Sequence, residues 1–159
     1  MHIPGGSKME CDACAMISKG KREPLMIIED DYHVAEIEKG MIERFCPDYI
    51  SDVIIVDNAT KALEIVKRGT SVKFFFVDLL LPGMDGKEFC LVTRDFLTLH
   101  SNHPSFIFVA VTGGFTSYTL SDLRRSGFDD ILLKPIDRNQ LISVVVCNVC
   151  RIQRWKTLI

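Results

Sequence analysis

Five positions carry side chains with the right chemistry to handle a charged oxyanion. Glu29 and Asp30 are adjacent acids, Asp78 is a third acid, Thr112 offers a hydroxyl and Lys134 an ammonium. Each follows a short apolar run: Leu25–Ile28, Val72–Val77, Phe106–Val111 and Ile131–Leu133. Carboxylates crowded together repel one another unless a cation neutralises them. All-oxygen ligands are hard, which favours a magnesium-type ion over zinc. A hydroxyl and a compact ammonium on a long stem add to the carboxylates and the cation the donors that a phosphoryl group needs.

These residues can act together only if the fold gathers the ends of the apolar runs. The spacing predicts strands at Leu25–Ile28, Val53–Val56, Val72–Val77, Phe106–Val111 and Ile131–Leu133. Between them it predicts helices over Val34–Phe45, with Val34, Ile37, Met41, Ile42 and Phe45 at helical spacing, and over Ala59–Lys67, Lys87–Leu99, Ser117–Ser126 and Asp137–Trp155. Asp31 reads as a helix-start residue, Asp85 as part of a turn and Asp137 as an N-cap. The strands are apolar almost throughout, as in a parallel sheet covered on both faces. Right-handed crossovers then lead to an α/β fold, a doubly wound five-stranded parallel sheet of order 2-1-3-4-5, flavodoxin-like, with helices on both faces. In such sheets ligands bind beyond the carboxyl ends of the strands, where the order reverses. That point lies between the first and third strands, so Glu29, Asp30 and Asp78 face one another across it.

The four segments resemble the receiver domain of two-component response regulators. They are Ile28-Glu29-Asp30-Asp31, Val77-Asp78-Leu79-Leu80-Leu81-Pro82-Gly83-Met84-Asp85-Gly86, Val111-Thr112-Gly113 and Leu133-Lys134-Pro135. The resemblance covers about residues 24–155. It implies that Asp78 is the phosphoacceptor. Magnesium is then held by Glu29, Asp30, Asp78 and the backbone carbonyl of Leu80, while Thr112 and Lys134 contact the phosphoryl oxygens. It also implies a cis peptide at Lys134-Pro135, and a histidine kinase or phosphotransfer protein as partner. Independently, a carboxylate is a feasible phosphoryl nucleophile, and the rest of such a site mainly positions groups and offsets charge. One position departs from the family pattern. An aromatic residue often stands three before the strand-5 lysine and reports activation by its rotamer; here that residue is Ile131.

Outside these motifs the sequence is less specific. Residues 1–23, with Gly5-Gly6-Ser7-Lys8 and Lys19-Gly20-Lys21-Arg22, read as a flexible arm, and residues 24–159 as the receiver domain. Cys46 and Cys90 read as small core residues, and His33, His100 and His103 as surface residues. Cys11, Cys14, Cys147 and Cys150 form two C-x-x-C pairs. Together they would suit a zinc ion or an arm-to-helix disulfide; the alternative places Cys147 and Cys150 in the core. The last helix, with Leu141-Ile142-Ser143-Val144-Val145-Val146-Cys147, carries more apolar residues than one buried face needs. We expect the surplus to meet a target protein or a second copy through the fourth helix, fifth strand and last helix, with the Gly113-Gly114-Phe115 loop moving on activation.

Composition narrows the function classes. The 159 residues include 19 Lys+Arg against 21 Asp+Glu, with 47% hydrophobic residues, so a packed core is available and no basic excess points to nucleic acid. No apolar run reaches membrane-spanning length and no signal-peptide pattern opens the chain, so a cytoplasmic location, no membrane contact and reduced cysteines are expected. A dinucleotide enzyme lacks its Gly-x-Gly-x-x-Gly after the first strand. An aspartyl-nucleophile phosphatase of the haloacid-dehalogenase type needs an acid two residues after the nucleophile, where Leu80 stands. A pseudo-receiver that binds partners without phosphate stays open. The leading expectation is a switch, not an enzyme acting on external substrates: a stand-alone receiver, or a piece of a longer regulator, that self-catalyses its phosphotransfer and dephosphorylation.

Overall fold

The computed structural model describes residues 21–101, 106–113 and 119–157. Five strands alternate with five helices: β1 (Glu23–Ile28), α1 (Tyr32–Phe45), β2 (Ile50–Val56), α2 (Ala59–Lys67), β3 (Phe74–Asp78), α3 (Gly86–His100), β4 (Ile107–Gly113), α4 (Leu120–Arg125), β5 (Asp130–Lys134) and α5 (Arg138–Thr157). All strand pairs are parallel and the order is β2-β1-β3-β4-β5, as the sequence predicts. The register aligns the strand ends that carry chemistry. Ile28 pairs with Val77, Asp78 with Val111, Thr112 with Leu133, and Gly113 with Lys134.

Because successive side chains of a strand point to opposite faces, the sheet carries two cores. Met26, Ile28, Phe75, Val77, Phe108 and Ala110 pack with residues of α2, α3 and α4. Leu25, Ile27, Phe74, Phe76, Val109 and Leu132 pack with residues of α1 and α5. Three helices begin at acids: Asp31 and Asp137, read from the sequence as start residues, and Asp85, read there as part of a turn. Asp31 accepts from the N–H groups of His33 and Val34, Asp85 from that of Glu88, and Asp137 from those of Asn139 and Gln140. Each satisfies helix N–H groups that have no partner within the helix.

The structure changes several details. β1 begins at Glu23, inside the segment assigned to the arm. Its buried carboxylate accepts from Gln153 Nε2 at 2.6 Å and pairs with Lys156, which ties the start of β1 to the end of α5. β2 is longer than predicted and only partly covered, with Asp52 and Ile54 exposed, because it forms an edge of the sheet. In α1 the buried residues are Ala35, Glu38 and Ile42, while Ile37 is 65% exposed. The helix is thus rotated from the face that its apolar spacing suggested. The apolar surplus of α5 is also largely absorbed, since Ile142 and Val144 pack partly against the core shared with α1. Among its described side chains, Trp155 is the large apolar residue left exposed. No helix among the described residues is long and apolar enough to cross a membrane.

Candidate functional site

The site is built where strands stop and helices start. β1 ends at Ile28, and Glu29 still donates its N–H to the Val56 carbonyl of β2 at 3.1 Å. Asp31 then caps α1, so the chain turns away and leaves Glu29 and Asp30 at the sheet edge. Asp78 is the last residue of β3. The loop after it needs the left-handed backbone of Gly83, φ 76°, before Asp85 caps α3. Lys134 is the last residue of β5, and the Lys134-Pro135 peptide is cis, as the resemblance implied.

These ends converge. One carboxylate oxygen each from Glu29, Asp30 and Asp78 lies within 4.8 Å of the others. Glu29 and Asp78 are buried and Asp30 is open to solvent. Lys134 Nζ sits 2.6 Å from Glu29 Oε2 and 3.3 Å from Asp78 Oδ2. The remaining carboxylate oxygens of the buried pair are also held. Glu29 Oε1 accepts from the Asp31 N–H at 3.1 Å, and Asp78 Oδ1 from the Leu80 N–H at 2.9 Å. Thr112 is buried one residue beyond Val111, the β4 partner of Asp78, and its hydroxyl is turned to the Gly113 carbonyl at 3.5 Å. Three carboxylates thus gather at one edge, and the Lys134 ammonium pairs with two of them. The excess of hard negative donors at one open edge fits a divalent cation such as magnesium.

Burial, above all, raises the Glu29 carboxyl above its ordinary range, with help from the Asp78 charge and against the pull of Lys134. For Lys134, burial acts to lower the pKa. The bond to Glu29 and the charge on Asp78 outweigh it and hold the ammonium above its usual range.

The sequence reading missed a buried acid of α1. Glu38 of α1 is 3% exposed, and burial pushes its carboxyl from 4.5 up to about 7. An acid whose pKa is higher folded than unfolded holds its proton more firmly in the folded state. Its contribution to stability is therefore present at low pH and is lost as pH rises from 4.5 to about 7. We expect Glu38→Leu, without divalent cations, to stabilise the protein by about 3 kcal/mol at about pH 8 and to give its smallest gain near pH 4. Urea midpoints at the two pH values check this. An equal gain at both would show that Glu38 does not titrate in this range.

The other sequence candidates separate cleanly. Cys46 and Cys90 are buried, and burial pushes their thiols up to about 11 and about 12, so they stay protonated core residues. Cys147 is exposed while Cys150 is buried, so the pair is divided between solvent and core. Placing both in the core was wrong for Cys147. Cys11 and Cys14 lie outside the described residues, as do His103, Gly114 and Phe115. Among the described residues, the one group of three or more potential metal ligands is Glu29, Asp30 and Asp78, and zinc finds no support. His33 and His100 are exposed, as expected. Ile131 is half-buried against the core under α2, α3 and α4, an aliphatic side chain with no ring to swing.

Comparison with known proteins agrees with this geometry. Residues 25–146 match the model of the response regulator receiver domain. The sensor histidine kinase GacS of Pseudomonas protegens is 31% identical over 106 residues, 67% of this chain and 11% of that protein. The matched stretch likewise covers only 12% of the GacS sensor protein of Pseudomonas syringae, so it corresponds to a small part of either relative. Among solved structures, the receiver domain of Ssk1 in its complex with the histidine phosphotransfer protein Ypd1 of Saccharomyces cerevisiae aligns with a TM-score of 0.68 at 24% identity, over 81% of this chain and 90% of that one. A response regulator receiver domain protein from Clostridium thermocellum aligns at 0.66 with 20% identity, over 86% and 99% of the two chains. At these identities the structural likeness speaks for the fold alone. The family match extends from β1 into α5 and takes in every strand end where the acids, the threonine and the lysine stand; on that ground this chain belongs to the response regulator receiver domain family.

Proposed function

We propose that the chain is a phosphorylation-controlled switch that accepts a phosphoryl group on Asp78 from a histidine kinase or a phosphotransfer protein. The observation that carries this reading is the state of Asp78. Its Oδ1 is fixed by the Leu80 N–H and its Oδ2 faces Lys134, at the mouth of a three-carboxylate cluster. The Leu80 bond sets the plane of the carboxylate, so the nucleophile needs little reorganisation. A lone pair of an Asp78 oxygen forms the new P–O bond as the P–N bond of the donor phosphohistidine breaks, and the electron pair leaves with the imidazole. Lys134 turns from the Asp78 carboxylate to the transferred oxygens, and the buried Thr112 hydroxyl, one residue beyond the β4 partner of Asp78, turns to donate to them. Glu29, Asp30, Asp78 and the Leu80 carbonyl would hold magnesium, which would supply positive charge against the phosphoryl oxygens. The chain acts on its own aspartyl group, not on an external substrate.

Two comparisons support the partner class: a sensor histidine kinase that shares this region, and a receiver domain solved with its phosphotransfer protein. For output, the face of α4, β5 and α5 presents Leu133, 47% exposed, and Trp155, 43% exposed, to a target or a second copy. The test is intact mass after incubation with acetyl phosphate. One phosphoryl mass per chain is expected with magnesium, and none once the cation is chelated. No gain in either condition would leave a phosphate-independent binding module.

A further inference from the structure

The outer faces of α2 and α3 carry charged and apolar groups that the phosphoryl chemistry does not use. Lys61 and Ile65 of α2 and its C-cap Arg68 follow one another at spacings of four and three, which puts them on one side of the helix. Glu88, Val92 and Asp95 of α3 repeat that spacing, with Leu91 and Leu99 beside them. All eight side chains are exposed, Leu99 to 80%. The two helices lie side by side, yet the side chains of Arg68, Glu88 and Asp95 make no ion pair and no hydrogen bond among the described residues. Lys61 is held by Asp57 at 2.9 Å and still stays exposed. Neighbouring exposed apolar groups framed by charges mark a contact surface.

The strand register sets the two helices at matching heights. Val56 of β2 and Val77 of β3 both pair with Ile28. α2 opens just beyond Val56 behind its cap Asn58, and α3 opens against the carbonyl of Asp78, the residue after Val77. Both helices then run back along the same face of the sheet. Lys61 and Glu88 are each the third residue of their helix, and Ile65 and Val92 each the seventh. Arg68 and Asp95 each follow three residues later. At each level a basic or apolar group on α2 therefore stands beside an acidic or apolar group on α3.

A two-fold axis running along the helices, midway between them, brings α2 of one copy onto α3 of the other. It sets Lys61 against Glu88, Ile65 against Val92 and Arg68 against Asp95, each pair twice. We propose that α2 and α3 form an isologous interface with a second copy of this chain. The occupant is a second copy because one surface holds both complementary halves, as a two-fold contact requires. The surface lies on the opposite side of the sheet from α1 and α5. None of its residues belongs to the Asp78 cluster, so association and phosphorylation can be measured separately.

Sedimentation equilibrium on the full chain over a concentration series tests this. A dimer that weakens as salt is raised is expected, because exposed charge pairs are screened. Arg68→Glu, Asp95→Lys and Val92→Glu all alter exposed positions, and urea midpoints check that each variant folds. Each is expected to weaken the dimer at least about tenfold, because like charges, or a charge against Ile65, then meet at two places in the interface. An equimolar mixture of Arg68→Glu and Asp95→Lys is expected to recover the dimer, since both cross-pairs are again of opposite sign. A wild type that stays monomeric throughout the series overturns the inference. So does a dimer that survives Val92→Glu, or a mixture of the two charge variants that stays monomeric. Each of these results leaves the phosphoacceptor reading to its own test by intact mass.

Discussion

Asp78→Asn is expected to take up no phosphoryl group under conditions where the wild type gains one per chain. The amide has no carboxylate lone pair to form an acyl phosphate, yet it keeps the size of the side chain. Its carbonyl oxygen can still accept from the Leu80 N–H that now holds Asp78 Oδ1 at 2.9 Å. The loss would therefore report chemistry, not collapse of the strand end. The neighbouring acids are poor substitutes. Glu29 is 3% exposed, with one oxygen on Lys134 and the other on the Asp31 N–H. Asp30 is exposed and no hydrogen bond among the described residues orients it. Intact mass after acetyl phosphate and magnesium reads the outcome. A variant that still gains the mass would move the acceptor to another residue, with Asp30 the first to map.

Gly86→Ala is expected to damage both stability and phosphorylation by adding a single methyl group. A Cβ on Gly86 would stand 2.2 Å from the Asp78 carbonyl oxygen, 2.9 Å from Leu79 Cα and 3.0 Å from the Asp78 carbonyl carbon. All three are backbone atoms, which cannot swing aside as a long side chain would. Gly86 opens α3 directly after its cap Asp85, and its N–H reaches the Leu79 carbonyl at 3.3 Å. The start of α3 thus leans on the strand end that carries the phosphoacceptor. Overpacking of this kind costs about 1–3 kcal/mol. The shift falls on the backbone of Asp78 itself, and misplacement of a reacting group by about 1 Å can cost ~100-fold in rate. We expect a lower denaturation midpoint and phosphorylation slowed by at least about tenfold. Gly40→Ala is the matched control. That glycine lies within α1 with nothing within 4 Å of its would-be Cβ. Alanine there should stabilise by roughly 0.5–1 kcal/mol through helix propensity. If the two variants behave alike, the close approach of Gly86 to Asp78 is not a constraint in solution.

The reactive edge was legible in the sequence because each of its residues directly follows a run that can only be a buried strand. Leu25–Ile28, Val72–Val77, Phe106–Val111 and Ile131–Leu133 are too apolar for loops and too short for helices, and Glu29, Asp78, Thr112 and Lys134 close them. A parallel sheet brings strand ends together at one edge, so chemistry at those ends is gathered whatever the details of packing. The helix starts at Asp31 and Asp137 were legible for a similarly local reason, since a short acidic side chain meets the first N–H groups of its own helix; Asp85 read only as part of a turn, and the structure makes it the cap of α3.

What the sequence left undetermined depends on contacts between elements. The apolar spacing of α1 allowed more than one rotation about the helix axis. Only the sheet and α5 beneath it decided that Ile37 faces solvent and that Glu38 is buried. The apolar run of α5 read as a surface waiting for a partner, yet α1 and the sheet cover much of it within the chain. Cys147 and Cys150 read as a pair, and the position of α5 on the sheet places one in solvent and one in the core. The close approach of Gly86 to Asp78 joins two residues that no local pattern relates at atomic distance. Sequence periodicity reports how a segment distributes its apolar groups around its own axis. Which of those groups lose water, and which acid is left without a partner, is set by the neighbouring elements against which the segment comes to rest.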